Sequence, residues 1–438
     1  MVRTARLGWF LAAFVATACG GGSSGGDGGG TPPPPPDAPP APPPVAPPPP
    51  GPPAQLDVKV DNTSFDAIAV APNGDLFVAG EIFGAGDFGA GTITPAADEI
   101  AFLAKYDSTG KLAFAKTFHG TATTQQYSLA VDASGGVWMT ALTSGAGLDF
   151  GSGKIGWDAS AAPDAGTVAL VHFDASGKLL GSEYAVGCQD GCGDAFLSIA
   201  KDGSLAILGS STGNADDGQS VYTDSGTFTF LWQRNASGAV QFGGTGAGDR
   251  AVGAAWVDQT IHYSVFDGST ARVAQSTTTG MNTGTWDHGM LDAAAFATAP
   301  GAPLSSYLAG MWSDGEGIAS MTLDATDWVI PIQPTGQNDI VRWHPATLAS
   351  YDKGVVVAGD FSGSLTIGLK SLTTGGAPSL DTTDIFVAKI TSAGMLGSFV
   401  KLGGPQRESV HGIGILADGR VVVAGETGGR GWLTTTSL

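Results

Sequence analysis

A unit of about 60 residues recurs seven times between Asp66 and the C-terminus, and this repeat constrains the fold more than any other feature of the chain. The first copy runs DAIAVAPNGDLFVAG, then a glycine-rich loop, then IAFLAKYDSTGKLAFAKTF. Alternating apolar residues bounded by Asx-Gly turns indicate four short strands, a to d, in each copy. The sequence therefore predicts an all-β, seven-bladed β-propeller of four-stranded blades.

The second strand of each copy, together with the turn before it, gives the register of the repeat. The copies of this strand are NGDLFVAG from Asn73, SGGVWMTA from Ser134, DGSLAILG from Asp202, DQTIHYSV from Asp258, PLSSYLAG ending at Gly310, DKGVVVAG from Asp352 and DGRVVVAG from Asp418. The third and fourth strands form a second hairpin around an Asp-x-x-Gly turn, in which the carboxylate can bond its own backbone.

The two ends of the chain complement each other. The seventh copy ends on Leu438 after strand c, whereas LDVKV at Leu56 to Val60 alternates like a strand d and precedes the first full copy. We expect this N-terminal strand to complete blade seven, which leaves no open sheet edge. The alternative, an open β-solenoid, would leave LDVKV unpaired and both ends uncapped.

The repeats resemble those of the bacterial β-propeller repeat family called SBBP, which look like AVDxxGNVYVTG followed by DFGG and DIFVAKYDxxGNLLW. The best copies in this chain are DFGAGTIT at Asp87, DFGSGKIG at Asp149 and DIFVAKITSAGML from Asp384. The resemblance implies the propeller fold and an exported or cell-surface location. It supplies no catalytic residues.

The first 54 residues indicate export and a tether. Two arginines, an apolar run from Leu7 to Ala16 and small residues before Cys19 predict a signal peptide over residues 1–18. Cleavage before Cys19 would leave an N-terminal cysteine for lipid attachment, whereas the A-x-A site Ala16–Ala18 would suit ordinary secretion. Residues 19–54 are rich in glycine and serine, then in proline, which predicts a disordered tether before the propeller at 55–438.

Charge and cysteine content exclude some functions. The formal net charge of −20 argues against nucleic acid as a partner, because phosphate binding requires basic surface. Cys188 and Cys192 lie between blades two and three, and export to an oxidising compartment favours a disulfide between them. Redox or metal chemistry by this pair is the weaker alternative, since C-x-x-x-C is not the oxidoreductase spacing.

The loops from strand b to strand c vary most in length, so their face of the propeller is the predicted binding face. Aspartates in these loops could bind Ca²⁺, although aspartates in glycine-rich turns are usually turn formers. We expect no other cofactor. The candidate residues of this face are Asp87, Asp98, Asp149, Asp158, Asp216, Asp217 and Asp381.

No catalytic residue is assigned, because the sequence contains no HExxH motif and no phosphate-binding loop. His344 and His411 fall in the inner strands of blades six and seven and could approach the central channel. The function expected is a lipid-anchored binding or scaffold module at the cell surface or outer membrane, or a secreted one, for an extracellular protein or glycan. The alternative is a polysaccharide hydrolase or lyase.

Overall fold

A computed structural model describes the chain from residue 55 to residue 438, apart from short gaps. The gaps are residues 98, 121–123, 145–146, 157–164, 224–225, 245–249, 278–281, 288–289, 299–305, 313–314, 322–325, 337–338, 345–346 and 376–377. Within the described residues, no helix has the length and apolar character needed to span a membrane.

The described strands, β1 to β37 in chain order, form seven antiparallel sheets that correspond to the seven repeats, and a separate two-stranded sheet of β4 and β5. Blades one to three contain β2 (Thr63–Val70), β3 (Leu76–Ile82), β6 (Glu99–Tyr106), β7 (Leu112–Gly120); β8 (Thr124–Val131), β9 (Val137–Ser144), β12 (Gly166–Phe173), β13 (Leu179–Cys188); and β14 (Cys192–Ile199), β15 (Leu205–Thr212), β18 (Thr227–Arg234), β19 (Val240–Gly244). Blades four and five contain β20 (Arg250–Val257), β21 (Thr260–Phe266), β22 (Ala271–Thr277), β23 (Asn282–Asp287); and β24 (Met290–Thr298), β25 (Ser306–Trp312), β26 (Gly315–Met321), β27 (Thr326–Pro334). Blades six and seven contain β28 (Ile340–Arg342), β29 (Leu348–Tyr351), β30 (Gly354–Ser362), β33 (Asp384–Thr391), β34 (Leu396–Leu402); and β35 (Glu408–Ile415), β36 (Val421–Thr427), β37 (Arg430–Thr436), β1 (Asp57–Asp61).

The remaining strands form short hairpins in the b-to-c loops of blades one, two, three and six. They are β4 (Gly86–Asp87) with β5 (Thr92–Ile93), β10 (Leu148–Asp149) with β11 (Lys154–Ile155), β16 (Ala215–Asp216) with β17 (Val221–Tyr222), and β31 (Ser364–Ile367) with β32 (Lys370–Thr373).

The seven-bladed all-β propeller predicted from the repeat is confirmed, but uniform four-stranded sheets are not. Three sheets have four strands. Three others have six, because hairpin β10–β11 pairs with β7, β16–β17 with β13 and β31–β32 with β27. Blade six has a five-stranded sheet, because its first strand is divided into β28 and β29, which both pair with β30.

The c-to-d turns of blades one, two and three have the predicted chemistry. The Asp107 carboxylate accepts the amides of Thr109 at 2.9 Å and Lys111 at 3.1 Å, and Gly110 adopts a φ of 87° that a side chain would disfavour. Asp174 and Asn235 accept equivalent pairs of amides. These side chains replace backbone partners in the turn, so each hairpin is fixed locally.

The core lies between the blades. Strands b and c are buried on both faces, as in β30, where all nine residues are buried. Because blades cover both sides of each sheet, these strands are continuously apolar instead of alternating. The four-residue stretch VVVA recurs in β30 and β36 for this reason.

The strand at the N-terminus lies against the last blade. β1 is antiparallel to β37, with Asp57 opposite Thr434 and Asp61 opposite Arg430. Leu56 donates its amide to Thr435 Oγ1 at 2.9 Å, and Val60 is fully buried.

Candidate ligand site at the propeller axis

The first strands of the blades form the inner ring, since β2 contacts β8 and β35, and β14 contacts β8 and β20. Several of them carry a β-bulge near the start. The register shifts between Phe65 and Ala67 in β2, and between Val410 and Gly412 in β35. An extra residue in a bulge is turned out of the regular alternation. The bulged residues are Asp66 and His411.

Two further blades bring polar groups to the same level of the ring. In β14 the shift falls between Cys192 and Ala195, which displaces Asp194. In blade six, His344 lies in the break between β28 and β29, where its carbonyl accepts a hydrogen bond from Thr347 Oγ1 at 2.7 Å. A local irregularity of the inner strand therefore positions each of these side chains.

These irregular positions surround one cavity of about 470 Å³ on the propeller axis, which is within the size range of small-molecule sites. The lining contains Asp66, Asp194, His344 and His411, with Gln126 and Ser128 from blade two. Its apolar part consists of Ala67, Ile68, Tyr127, Leu129, Leu142 and Phe196.

Both histidines are held by a carboxylate. His344 Nε2 lies 2.7 Å from Asp360 Oδ2, and His411 Nδ1 lies 3.2 Å from Asp66 Oδ1. The centroids of the two imidazole rings lie 5.8 Å apart, and the ring planes are tilted by 57°. The inner-strand position predicted for these histidines thus brings them into one site.

Asp360 anchors this arrangement from below the cavity surface. Only 2 % of it is exposed, and besides His344 it accepts the Val410 amide at 2.8 Å and Ser409 Oγ at 2.9 Å. Since Val410 and Ser409 belong to blade seven, one carboxylate fixes both a histidine and the seam between two blades. These three hydrogen bonds hold the Asp360 carboxylate in its position.

The pKa values of two cavity groups are shifted upward. Burial opposes charge on His411, but the hydrogen bond and charge of Asp66, aided by Glu426 and Asp360, outweigh it and raise the His411 pKa. Burial raises the pKa of Asp194, with the charge of Arg250 acting in the opposite direction. Such perturbed groups in a cleft are candidates for functional sites.

The candidate aspartates of the loop face lie elsewhere. Asp87 Oδ1 accepts the amides of Gly89 and Gly91 at 2.8 and 3.1 Å, and Asp149 Oδ1 accepts those of Gly151 and Gly153 at 2.7 and 3.0 Å. Asp216 and Asp217 bond the amides of their own turn in the same way, and Asp381 lies in an exposed turn. Asp98 and Asp158 are outside the described residues. None of the described candidates lines the axial cavity.

Among the described residues, no group of three or more His, Cys, Asp or Glu side chains is placed to hold a metal ion. Binding of Ca²⁺ by the loop face stays a prediction. The hairpins that carry Asp149 and Asp216 pair with the outer strand of the preceding blade, where Asp149 lies opposite His119.

A disulfide joins Cys188 to Cys192, with their Cα atoms 5.2 Å apart. It closes the connection from blade two to blade three immediately before Asp194. The covalent link therefore fixes the start of the inner strand that carries a cavity carboxylate.

Sequence reasoning did not single out Asp66, Asp194 or Asp360. The sequence does contain a signal for the cavity residues of three blades. The aligned copies of strand a read FDAIAV, GDAFLS and VHGIGI, and each has a polar residue directly before alanine or glycine. That position coincides with the bulge. Nothing local marks Asp360, whose partners are 16, 49 and 50 residues away.

Comparison with known proteins supports the class of fold. No family model matches the chain, and neither does any curated protein sequence. A structure of the mitotic checkpoint complex aligns with 92 % of this chain and 97 % of its own, with TM-score 0.50 and 12 % identity. The C-terminal WD40 domain of Sif2 aligns over 88 % of this chain and 99 % of its own at TM-score 0.47 and 13 % identity. Virginiamycin B lyase from Staphylococcus aureus aligns over 88 % and 99 % at TM-score 0.45 and 9 % identity.

The protein is thus a seven-bladed β-propeller. The similarity to the mitotic checkpoint complex structure, at 12 % identity, extends to the fold and not to a family or an activity.

Proposed function

We propose that this protein is a non-enzymatic binding module whose ligand enters the axial cavity. The observation that carries the proposal is the convergence of Asp66, Asp194, His344 and His411 on a cavity with an apolar wall. Pockets that combine apolar lining with a few fixed polar groups are the usual small-molecule sites of proteins. An extracellular protein or glycan, the partner expected from the sequence, would present a group of this size to the cavity.

A substitution that fills the cavity tests this function. Ile68 lies in the cavity wall and is only half-buried, so Ile68→Trp should occlude the space while the fold survives. A fragment library screened by ligand-observed NMR should give hits with the natural chain that the variant loses. Matching thermal unfolding curves would show that the variant is folded. Hits retained by a folded, occluded variant would contradict the proposal.

A second candidate is an enzyme acting on polysaccharide, a hydrolase or lyase. Two histidines, each held by a carboxylate and with ring centroids 5.8 Å apart, are suited to general acid–base catalysis. Glycan panels assayed with and without Ca²⁺ decide between the two. Turnover that is lost in both His344→Gln and His411→Gln would favour the enzyme.

Export and lipid anchoring remain part of the proposal, as does membership of the SBBP family. The supporting features are the signal pattern of residues 1–18, Cys19 and the glycine- and proline-rich segment 19–54. Intact mass and detergent partitioning of the native protein test the anchor. A chain that starts at acylated Cys19 in the detergent phase supports it, whereas a soluble chain starting at unmodified Cys19 shows secretion.

We also infer that β1 holds the ring of blades closed. Trp432 Nε1 donates to Asp57 Oδ1 at 2.7 Å, and Thr434 Oγ1 donates to the Leu56 carbonyl at 3.0 Å. Leu56 and Val60 pack with Leu433 and with Phe65 of blade one. The strand thereby contacts both the last blade and the first.

A further inference from the structure

We propose that the axial cavity is specific for a small organic cation, an amine with a short apolar stem whose ammonium group pairs with Asp194. The inference rests on the proposed function, because it names the ligand class of that same cavity.

The balance of charge around the cavity favours a cation. Two carboxylates and two imidazoles line the cavity, and two acids and one base act on them from behind the lining. With every carboxylate ionised and both imidazoles protonated the sum is −4 + 3 = −1, and it falls to −3 when the imidazoles are neutral. An anion would be repelled in either state, while a cation is attracted. The groups counted are Asp66, Asp194, Asp360 and Glu426 against His344, His411 and Arg250.

Asp194 is the carboxylate with capacity for a ligand. Asp66 accepts Ser64 Oγ at 2.9 Å and contacts His411, and both oxygen atoms of the buried Asp360 carboxylate already accept hydrogen bonds. In the part of the chain that the structure describes, no donor other than its own backbone amide bonds the Asp194 carboxylate. The charge of Arg250 lowers the pKa of Asp194 and so opposes the larger effect of burial. One backbone amide leaves most of the acceptor capacity of this half-buried carboxylate unused, and a ligand ammonium would supply further donors.

The rest of the cavity suits an apolar stem better than a metal ion. Ile68, Leu129, Leu142 and Phe196 form a wall beside Asp194. A divalent ion such as Ca²⁺ requires six to eight oxygen ligands. The described residues place no three ligand side chains around one point. An ammonium needs only one carboxylate and nearby neutral acceptors, such as the side-chain oxygen atoms of the cavity.

Proton linkage gives the site a distinctive signature. Burial raises the pKa of Asp194, so some molecules carry a protonated Asp194 at mildly acidic pH. A cation binds the ionised carboxylate, and binding to these molecules therefore releases a proton. Loss of the proton from His411 at higher pH makes the cavity still more negative. Both effects act in the same direction, and the affinity for an amine should rise with pH.

Three probes of similar size test the ligand class: phenethylamine, 2-phenylethanol and 3-phenylpropanoate. Calorimetric titration of the folded chain should show phenethylamine binding at least about tenfold more tightly than the other two. Its affinity should increase from about pH 5.5 to about pH 8, where an aliphatic ammonium stays protonated. Buffers of different ionisation enthalpy should reveal proton release at the acidic end.

A matched pair of variants locates the binding. Asp194→Asn should weaken phenethylamine binding about tenfold or more. Asp352→Asn removes the same charge from an exposed turn and should leave it unchanged. Tighter binding of 3-phenylpropanoate or 2-phenylethanol that is lost in Ile68→Trp would overturn the ligand class but leave the proposed function intact. Absence of binding by all three probes also overturns the ligand class, and the fragment screen then judges the proposed function separately.

Discussion

At the scale of single residues, the clearest departure from an ordinary propeller core is a pair of buried acids between blades six and seven. Asp384 and Glu408 are each 2 % exposed. Lys401 bonds Asp384 Oδ2 at 2.6 Å, but Asp384 Oδ1 is buried without a donor. Burial and the charge of Asp384 raise the pKa of Glu408, although Gly404 and Thr427 donate to it. A protonated Glu408 would supply the missing donor.

Glu408→Gln should therefore stabilise the protein at neutral pH. A group whose pKa is raised on folding gives stability that is fully present below its unfolded pKa and is lost as pH rises through the folded value. The substituted glutamine cannot ionise and keeps a donor, so the gain should be about 1 kcal/mol at pH 7 and disappear below about pH 4. Urea unfolding across this pH range measures the difference. A loss of stability at neutral pH would show that the ionised Glu408 is the favoured form.

The sequence predicted part of the axial site and not the rest, for reasons visible in individual residues. His344 and His411 could be assigned to inner strands because the repeat fixes their register. Asp66 and Asp194 point into the cavity because they lie in β-bulges. An alignment of the repeats shows a bulge only as one extra residue and does not indicate where its side chain points. The loop-face aspartates attracted attention because they are numerous, yet hydrogen bonds within their own turns account for Asp87, Asp149, Asp216 and Asp217.

At the scale of elements, the long b-to-c loops are largely sheet extensions. Leu148 of β10 lies opposite Gly120 of β7, and a Cβ on Gly120 would come within 2.4 Å of the Leu148 side chain and 3.0 Å of the Gly147 carbonyl. The sequence shows the turn of each hairpin but not its attachment, because strand pairing between different blades has no local signal. The expected four strands per sheet are therefore seen in three sheets, whereas attached hairpins extend three others to six strands.

Gly120→Val should separate the hairpin of β10 and β11 from β7. The added side chain would clash with the Leu148 side chain and with the Gly147 carbonyl, which belongs to the backbone and cannot easily move. The expected loss in the free energy of unfolding is about 1 to 3 kcal/mol. Gly181→Val in β13 is the matched control, because nothing lies within 4 Å of a Cβ there. Thermal unfolding should show a lower melting temperature for Gly120→Val than for Gly181→Val. Limited proteolysis near Gly151 should increase only in Gly120→Val. Equal stability of the two variants would refute the attachment of the hairpin to β7.

At the scale of the whole molecule, the seven blades form a ring whose ends meet in one sheet. If β1 holds this ring closed, damage to β1 should weaken every blade and not only the last. Val60 is fully buried in β1, whereas the neighbouring Lys59 points to the exposed face and lies over Trp432. Because side chains alternate between the two faces of a strand, a substitution at Val60 tests the role of β1 and a substitution at Lys59 is its control.

Val60→Asn should lower the free energy of unfolding by about 3 kcal/mol or more and keep a single transition, because it buries an unpaired amide at the seam. Lys59→Asn should change stability by less than about 1 kcal/mol. Urea unfolding followed by tryptophan fluorescence and by circular dichroism measures both. Two separate transitions in Val60→Asn, with blade seven melting first, would mean that the ring does not depend on closure.

The position of β1 also determines where the molecule bears mechanical load. All chain before residue 55 connects to the propeller through this strand, so any pull from the N-terminal side arrives first at the five residue pairs between β1 and β37. A pull along the strand axis shears those hydrogen bonds together instead of opening them one at a time. If β1 closes the ring, its pairing with β37 is therefore also the force-bearing joint, and mechanical failure of the propeller should begin there.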